Sequence, residues 1–300
     1  MTGPGRAARQ LIITADDFGM SREVNEAVEE AHRKGVLTAA SLVVTGDAAA
    51  DAIERARRMP SLGVGLHLAL VSADPALPPG EIPALMAPDG HGLGSSPERV
   101  GALMSLSPKV AAQARAETRA QLDLYRKTGL PLDHVDGHWH FHQHPTIVRT
   151  LVECAPEYGI RAVRVPFEPA LPSWLPTRTR LARRIGIALA HRPLAAWMRR
   201  AFRQARILAN DWFFGMTDGG GFNRDVLLGY LAHLPAGVTE IGLHPATRSW
   251  HSRFAPPAHW QVAAELAALT DPDVIQACRG PGRRLTTFSE LVTKKDKAGC

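Results

Sequence analysis

Apolar and polar positions along the chain predict strands and helices in alternation. Short apolar runs predict strands at 10–14, 36–44, 63–70, 132–136, 160–165, 238–243 and 285–288. Helical periodicity and capping residues predict helices at 21–35, 47–58, 108–127, 145–158, 224–233, 257–269 and 289–293. The stretch from 71 to about 106 is rich in Pro and Gly, which predicts an ordered excursion outside the core.

Strands that alternate with helices are typical of a mostly parallel sheet in the α/β class. About seven such units favour a closed or nearly closed (β/α) barrel, a TIM-like fold, over an open doubly wound sheet. We interpret residues 1–300 as one such domain. In these barrels the chemistry lies at the carboxyl ends of the strands. Polar motifs fall at those places: Asp16 and Asp17 after the first strand, then His67, His138 and His244 near the ends of later strands.

Composition narrows the class of protein. With 45% apolar and 21% charged residues, the 300-residue chain is typical of a globular protein. No apolar run approaches the ~20 residues of a membrane span, and the run at 11–13 that follows Arg6 and Arg9 is too short for a signal peptide. Three widely spaced cysteines indicate reduced thiols and a cytoplasmic location: Cys154, Cys278 and Cys300.

The carboxylates Asp16 and Asp17 stand together directly after an apolar strand. Aspartates favour turns and helix caps, which is one interpretation of the pair. The other is functional: neighbouring residues in a turn point in different directions, so that one binds a metal ion while the other acts as a base. His67 lies in an apolar run, where a lone histidine is more often a core residue, and becomes a ligand candidate only together with others.

Such a group lies between His134 and His144, where five of the 13 histidines fall within eleven residues. They cannot all bind one ion, so Asp136 and the spare histidines are expected to orient the ligands. An Asp, two His and an open water position form a hydrolytic metal site. His244 is the candidate general acid, with a packed core histidine as the alternative. Arg164 is a candidate for orienting a site carboxylate or stabilising an oxyanion, with a surface ion pair as the alternative.

Three separated motifs resemble the YdjC-like carbohydrate deacetylases: Thr14–Gly19, Gly65–His67 and His134–His140. The resemblance runs from about residue 10 to 250, with the motifs in the family's order. Within the family, the segments 17–28, 35–42 and 243–247 are most similar to the hopanoid-biosynthesis-associated deacetylases.

The resemblance implies a divalent-metal hydrolase on a distorted (β/α) barrel that removes acetyl from an N-acetylated amino sugar. It implies Asp17, His67 and His138 as metal ligands, Asp16 as the base and His244 as the acid. In the hopanoid branch the substrate is an N-acetylglucosaminyl hopanoid lipid of the bacteriohopanetetrol type. Two imidazoles and one carboxylate suit zinc, with magnesium as the alternative. The remaining polar or aromatic candidates are expected to bind substrate or to orient the ligands: Asp136, Trp139, His140 and Glu168.

The segment 170–210 contains nine arginines and no Asp or Glu. It accounts for the positive net charge of +6, because the other 26 basic residues face 29 acidic ones. We interpret it as an inserted basic helical hairpin divided at Pro193. One reading is an ordinary solvated excursion. The other is an interfacial anchor on an anionic membrane, peripheral on the inner face of the cytoplasmic membrane, with lipid contacts from Trp174, Trp197 and Phe202.

Other functions remain open at this point. The rivals are a deacetylase of soluble chito-oligosaccharides, a metal phosphoesterase, and a lipid-binding protein with a degenerate metal site. Nucleic acid is not expected as a partner, because no nucleic-acid-binding module accompanies the basic segment. The sequence does not predict an oligomeric state.

Overall fold

The computed structural model describes residues 9–298, so Arg6 and Cys300 lie outside the described residues. The named strands pair in parallel in a single sheet, in the order β6-β5-β4-β3-β2-β1-β8-β7 with β9 beside β1. Their bounds are β1 Arg9–Phe18, β2 Ala39–Leu42, β3 Gly63–Leu68, β4 Val135–Gly137, β5 Ala162–Val163, β6 Leu208–Ala209, β7 Trp212–Phe214, β8 Val238–Leu243 and β9 Arg283–Leu285.

The sheet closes on itself through one short stretch of chain. Its two edge strands, β6 and β7, are separated only by Asn210 and Asp211. The stretch 208–214 therefore pairs with β5 at its start and with β8 at its end. Counted as one interrupted strand, it completes a distorted barrel with seven strand positions, which confirms the predicted α/β barrel.

Asn210 bridges the interruption between β6 and β7. Its side-chain oxygen accepts a hydrogen bond from the Val165 N–H at 2.7 Å, and its amide donates to the carbonyls of Val165 and Trp212, each at 3.0 Å. A buried amide thus supplies the bonds that a regular strand ladder would make here.

Helices cover the outside of the barrel and bury apolar residues against it. They are α1 Arg22–Lys34, α2 Ala49–Arg57, α3 Pro97–Leu106, α4 Pro108–Lys127, α5 Pro145–Tyr158, α6 Ala170–Thr177, α7 Leu181–Gln204, α8 Arg224–Ala232, α9 Val262–Thr270, α10 Pro272–Cys278 and α11 Phe288–Ala298. Ser21 caps α1 as predicted, since its hydroxyl accepts a hydrogen bond from the Val24 N–H. None of the helices between residues 9 and 298 combines the length and apolarity needed to cross a bilayer.

The segment 170–210 forms two helices, but the predicted division between them at Pro193 is wrong. The chain breaks at Arg178 and Arg180, which have left-handed backbone conformations, and α7 continues through Pro193. Pro193 is exposed, so water can reach the carbonyl that lacks an N–H partner one turn earlier. Moreover, α7 is the connection between β5 and β6, and therefore an integral barrel helix.

The predicted lipid contact of Phe202 is also wrong. Phe202 is fully buried on the core-facing side of α7 together with Ala195 and Met198. Trp174 and Trp197 are half-buried, and Trp174 packs under the Arg178 guanidinium at 4.6 Å from the ring centre. Phe202 therefore belongs to the side of α7 that packs against the core.

Candidate active site

Polar side chains gather at the carboxyl ends of the barrel strands. Asp16 and Asp17 lie near the end of β1, His67 lies in β3 and Asp136 in β4. His138 follows β4, Arg164 follows β5 and His244 follows β8. The structure therefore brings the predicted residues together, because parallel strands end at the same side of the barrel.

Three of these side chains form a group with the geometry of a metal site. The Nδ1 atom of His138 lies 3.0 Å from Asp17 Oδ1, and the Nε2 atom of His67 lies 3.5 Å from the same oxygen. Ligand atoms bound to one ion at about 2.1 Å in a tetrahedron are separated by about 3.5 Å. The ligand atoms of Asp17, His67 and His138 all lie within 4.8 Å of one another, and together they offer one carboxylate and two imidazoles to a divalent ion.

Local backbone and side-chain partners direct these ligands. Asp17 has a φ of 64°, a left-handed conformation that few residues other than glycine adopt and that is concentrated at active sites. The Nδ1 atom of His67 is bonded to Asp136 Oδ1 at 2.8 Å, which leaves Nε2 facing Asp17. A carboxylate behind a metal-binding histidine is the usual means of fixing the ring.

The electrostatics of the group favour a positive charge. Burial alone would lower the pKa of His67, but Asp136, Asp16 and Asp17 outweigh it and raise that pKa to about 9. Burial would likewise raise the pKa of Asp17, yet His138, His244 and His67 bring it far below its ordinary value. The carboxylates thus stabilise a cation among them.

A second acidic group, Asp16 with His67 and Asp136, is already neutralised by Arg164. The Arg164 Nη1 atom lies 2.7 Å from Asp16 Oδ2 and 2.7 Å from Asp136 Oδ2. Nη2 contacts Asp16 Oδ1 and Glu240 Oε1, each at 2.8 Å, and Nε contacts Glu240 at 3.0 Å. Four of these contacts are hydrogen bonds and the one with Asp136 is an ion pair, so an ion at this group would face a fixed positive charge.

Arg164 is therefore a positioning residue. It is fully buried, and its donors are directed at three carboxylates, Asp16, Asp136 and Glu240. The prediction that it orients a site carboxylate agrees with this geometry, whereas the suggested oxyanion contact and surface ion pair do not. Its guanidinium also lies over the Phe213 ring at 4.7 Å from the centre.

The five clustered histidines have separate roles. His134 joins Asp133 to the Ser41 hydroxyl, which in turn donates to Asp136 at 2.8 Å. His142 contacts the Arg164 carbonyl through Nε2 at 2.9 Å, and burial lowers the pKa of its ring to about 4. His144 caps α5.

The chain directly after His138 is not extended. Residues His138–Gln143 form a 3₁₀ segment, in which Trp139 and His140 both have positive φ. His140 packs edge-on against Phe213, and burial lowers its pKa well below the ordinary range. His140 therefore does not orient a ligand directly. It packs against Phe213, the ring over which the Arg164 guanidinium lies.

His244 lies beside the group on the side of Asp16. Its Nε2 atom is 4.0 Å from Asp16 Oδ2, and its ring packs on Trp260 with 4.3 Å between centres. Burial lowers the pKa of His244, reinforced by His67 and His138 and opposed by Asp17 and Asp16. Its backbone N–H donates to Glu265, so α9 holds this strand end in place.

Glu168 does not face the site as a predicted substrate-binding residue would. It is buried, and its Oε2 atom accepts hydrogen bonds from the N–H groups of Gly215, Met216 and Thr217. It therefore fixes the loop after β7, which passes beside His244.

An open cleft of about 410 Å³ leads to Asp17 and His138. Aromatic side chains on its wall include Trp139, Phe254 and Trp260, and Asp89, His91 and Arg253 add polar groups. Trp139 is 52% exposed, directly beside a candidate metal ligand. Sugar rings bind in such clefts by packing on aromatic faces with polar groups at the edges.

Sequence reasoning missed Glu240, Ser41, Glu265 and Trp260. Glu240 lies within an otherwise apolar strand and is fully buried between Arg164 and Thr14, whose hydroxyl donates to it at 2.8 Å. A carboxylate in the middle of a buried strand is itself a signal, because it requires a cationic partner. Ser41, Glu265 and Trp260 carry no comparable signal in the sequence.

Fold and site together define a (β/α)-barrel protein with a candidate metal centre at the carboxyl ends of its strands. The YdjC-like protein family model matches residues 10–280. The chain belongs to this family.

Relatives of this chain that are named carbohydrate deacetylase are found in bacteria and animals. A protein named carbohydrate deacetylase from Geobacillus stearothermophilus is 29% identical over 94% of this chain and 98% of its own length. One from Mus musculus is 31% identical over 97% of each chain. A third, from Brevibacillus brevis, is 37% identical over 53% of this chain and 60% of its own length.

A solved structure agrees in fold. A protein from Enterococcus faecalis V583, described as a candidate cellobiose-phosphate cleavage protein, superposes with a TM-score of 0.72. The superposition covers 95% of this chain and 99% of the other at 24% identity, so it supports the barrel architecture alone.

Proposed function

We propose that the protein is a metal-dependent carbohydrate N-deacetylase, a hydrolase of the acetamide on an amino sugar. The observation that carries the proposal is the group Asp17, His67 and His138 at the end of an aromatic cleft, with Asp16 and His244 beside it. The relatives named carbohydrate deacetylase support the same activity.

The divalent ion would be held by Asp17, His67 and His138, and the imidazole content favours zinc over magnesium. When bound, such an ion supplies an acidified water and polarises the acetamide carbonyl. Asp136 fixes the His67 ring through Nδ1, so this ligand is oriented before any ion arrives.

Asp16 and His244 divide the proton transfers. Asp16, held by Arg164 through both oxygens, accepts the proton of the attacking water. His244 lies 4.0 Å from Asp16 and delivers a proton to the nitrogen of the departing amine. Because the pKa of His244 is lowered, its protonated ring is a stronger acid than an ordinary imidazolium. The products are the free sugar amine and acetate.

We further propose an N-acetylglucosaminyl hopanoid of the bacteriohopanetetrol type as the substrate, giving the glucosaminyl amine. The similarity of segments 17–28, 35–42 and 243–247 to the hopanoid-associated branch supports it, as does the apolar character of the cleft wall. The alternatives are soluble chito-oligosaccharides, a phosphoester, or binding of a lipid without turnover.

Mass spectrometry of products separates these substrates. The purified protein with added zinc is incubated in parallel with an N-acetylglucosaminyl lipid, a chito-oligosaccharide and a sugar phosphate. Loss of an acetyl group from the lipid supports the proposal, and loss from the oligosaccharide alone assigns the soluble substrate. Release of phosphate without acetate identifies a phosphoesterase, and an unchanged set of substrates refutes the enzyme assignment.

Variants test the roles in the site. Asp17→Asn, His67→Ala and His138→Ala are expected to lose both bound metal and acetate release, whereas Asp16→Asn keeps the metal and loses turnover. Metal content by plasma mass spectrometry and acetate release are measured on the same samples. Full metal occupancy in any of the first three variants contradicts its ligand assignment, and normal turnover of Asp16→Asn contradicts its role as the base.

A further inference from the structure

The outward face of α7 has an unusual composition. Its exposed positions are Ala182, Arg183, Ile185, Gly186, Leu189, Ala190, Arg192, Pro193, Ala196, Arg200, Arg203 and Gln204. An ordinary surface helix presents charges of both signs outward. Here small and apolar residues occupy that face, and every charged residue on it is an arginine.

Large exposed apolar side chains concentrate in the same region. Five such side chains occur among residues 9–298, and three of them belong to α6 and α7: Leu171 at 59% exposure, Ile185 at 43% and Leu189 at 63%. Ile185 and Leu189 are four residues apart and so share one side of the helix. Single exposed leucines need no explanation, but three large apolar side chains exposed within a segment that contains no Asp or Glu do.

The first turns of this face lie at the end of the barrel that holds the candidate site, and α7 then runs toward the start of β6 at the opposite end. α6 begins directly after the segment that leaves the carboxyl end of β5. Near the start of α7, Arg184 is buried and contacts Asp218 at 2.8 Å and Thr217, which follow the carboxyl end of β7. Ile185 and Leu189 therefore lie on the turns of α7 that are anchored to the catalytic end.

We propose that the exposed face of α6 and α7, carrying Leu171, Ile185 and Leu189 among arginines, docks on an anionic lipid bilayer. The apolar side chains enter the boundary between headgroups and acyl chains while the arginines pair with lipid phosphates. The positive charge without any acid between residues 170 and 210 argues for this occupant, since a second copy of the same face would bring like charges together. The docking proposal deepens the proposed function. It rests on that function for the lipid substrate, which would lie in the membrane that this surface binds.

Vesicle co-sedimentation tests the surface without any substrate. Wild-type protein is mixed with vesicles of phosphatidylcholine alone or with added phosphatidylglycerol. We expect binding only to the anionic vesicles, weakened by salt. In the double variant Ile185→Ser/Leu189→Ser the partition falls about tenfold. Leu106→Ser is the matched control, because Leu106 is an exposed leucine outside this face and its loss leaves binding unchanged.

Two single variants test the contribution of the arginines to vesicle binding. Arg183→Gln and Arg192→Gln are each expected to lower binding to anionic vesicles about fivefold and to reduce its salt dependence. Circular dichroism and thermal melting confirm that all variants remain folded.

Three results overturn the docking proposal: no binding of the wild type to anionic vesicles, equal binding of the Ile185/Leu189 double variant, or a wild-type dimer that this variant abolishes. The last result assigns the surface to self-association. Vesicle binding and acetate release from a soluble substrate are measured separately, so failure of one proposal is distinguishable from failure of the other.

Discussion

Arg164 shows how one residue determines the arrangement of the site. Its guanidinium contacts Asp16, Asp136 and Glu240, and the last two each have a further partner in another strand. Asp136 leads to His67 and Glu240 leads to Thr14. Burial of this charge is favourable only because three carboxylates are placed to contact it.

Replacing Arg164 by Lys should separate positioning from charge. Lysine keeps the positive charge but has a single side-chain nitrogen, so it cannot form the bidentate contact with both oxygens of Asp16. We expect kcat to fall at least ~100-fold, since the proposed base loses its orientation, while zinc content and KM change little. Steady-state kinetics with metal analysis checks this. Arg161→Lys, at an exposed ion pair with Asp296, is the matched control and should keep wild-type kinetics.

Glu265 makes the stability of the fold depend on pH. Burial raises the pKa of its carboxyl to about 7, although the N–H groups of His244, Phe222 and Gly220 lower it in part. The unfolded chain releases this proton near the ordinary value of 4.5, while the folded chain holds it to about pH 7. Glu265 therefore favours the folded state below pH 4.5, and this contribution is lost as the pH rises to 7.

Urea unfolding of wild type and Glu265→Gln between pH 4.5 and 8 measures this contribution. The free energy of unfolding of the wild type, minus that of the variant, should fall by up to ~3 kcal/mol across the interval. Subtraction of the variant removes the titration of other groups. A difference that stays constant with pH contradicts the raised pKa.

At the residue scale, the sequence indicated which side chains gather at the candidate site better than it indicated which residues they contact. Asp17, His67 and His138 could be proposed as ligands because each belongs to a motif that resembles the family. The separate roles of the five histidines could not be predicted, because they depend on positive φ values at Trp139 and His140 that no sequence pattern indicates. Likewise, the partners of Arg164 come from strands far apart in sequence, and no local pattern reveals them.

At the scale of elements, α7 is joined to the catalytic end by Arg184. This side chain is 3% exposed and contacts Asp218, Thr217, Glu168 and the Thr179 carbonyl. Glu168 in turn binds the loop at 215–217, so helix and loop share one buried polar network.

Arg184→Met should lower the free energy of unfolding by about 3 kcal/mol, because it leaves the buried Glu168 and the partly buried Asp218 without their cation. Amide hydrogen exchange in the loop at 215–218 should also become faster. The neighbouring Arg183→Met is the matched control and should change stability by no more than ~0.5 kcal/mol, since Arg183 is exposed. Equal effects of the two substitutions would contradict the anchoring role.

The helices α1, α4 and α5 were predictable from periodicity, whereas α3, of ten residues, was missed because it lies in the Pro- and Gly-rich stretch from 71 to about 106. β6 and β7, of two and three residues, were missed because so short a run carries no period. The break in the basic segment was misplaced for a different reason. Proline is a strong signal for a helix end, but exposure of Pro193 and burial of Phe202 on the opposite face let the helix continue.

At the scale of the whole molecule, the candidate metal site joins distant parts of the chain. Asp17, His67 and His138 come from β1, from β3 and from the turn after β4. These ligands meet only when the barrel is closed, so an ion that binds them stabilises the folded protein over the unfolded chain.

Zinc is therefore expected to raise the melting temperature of the whole protein. At a free concentration about 1,000 times its Kd, one bound ion adds ~4 kcal/mol to the free energy of unfolding. Binding of zinc to the histidine-rich stretch 134–144 in the unfolded chain would reduce this gain. Differential scanning calorimetry with EDTA and then with zinc should show one cooperative transition that moves upward with zinc. Asp17→Asn should abolish the movement, whereas Asp89→Asn, an exposed carboxylate in the same cleft, should retain it. Because this measurement needs no substrate, a shift that persists in Asp17→Asn would locate the ion elsewhere, whatever the activity of the protein.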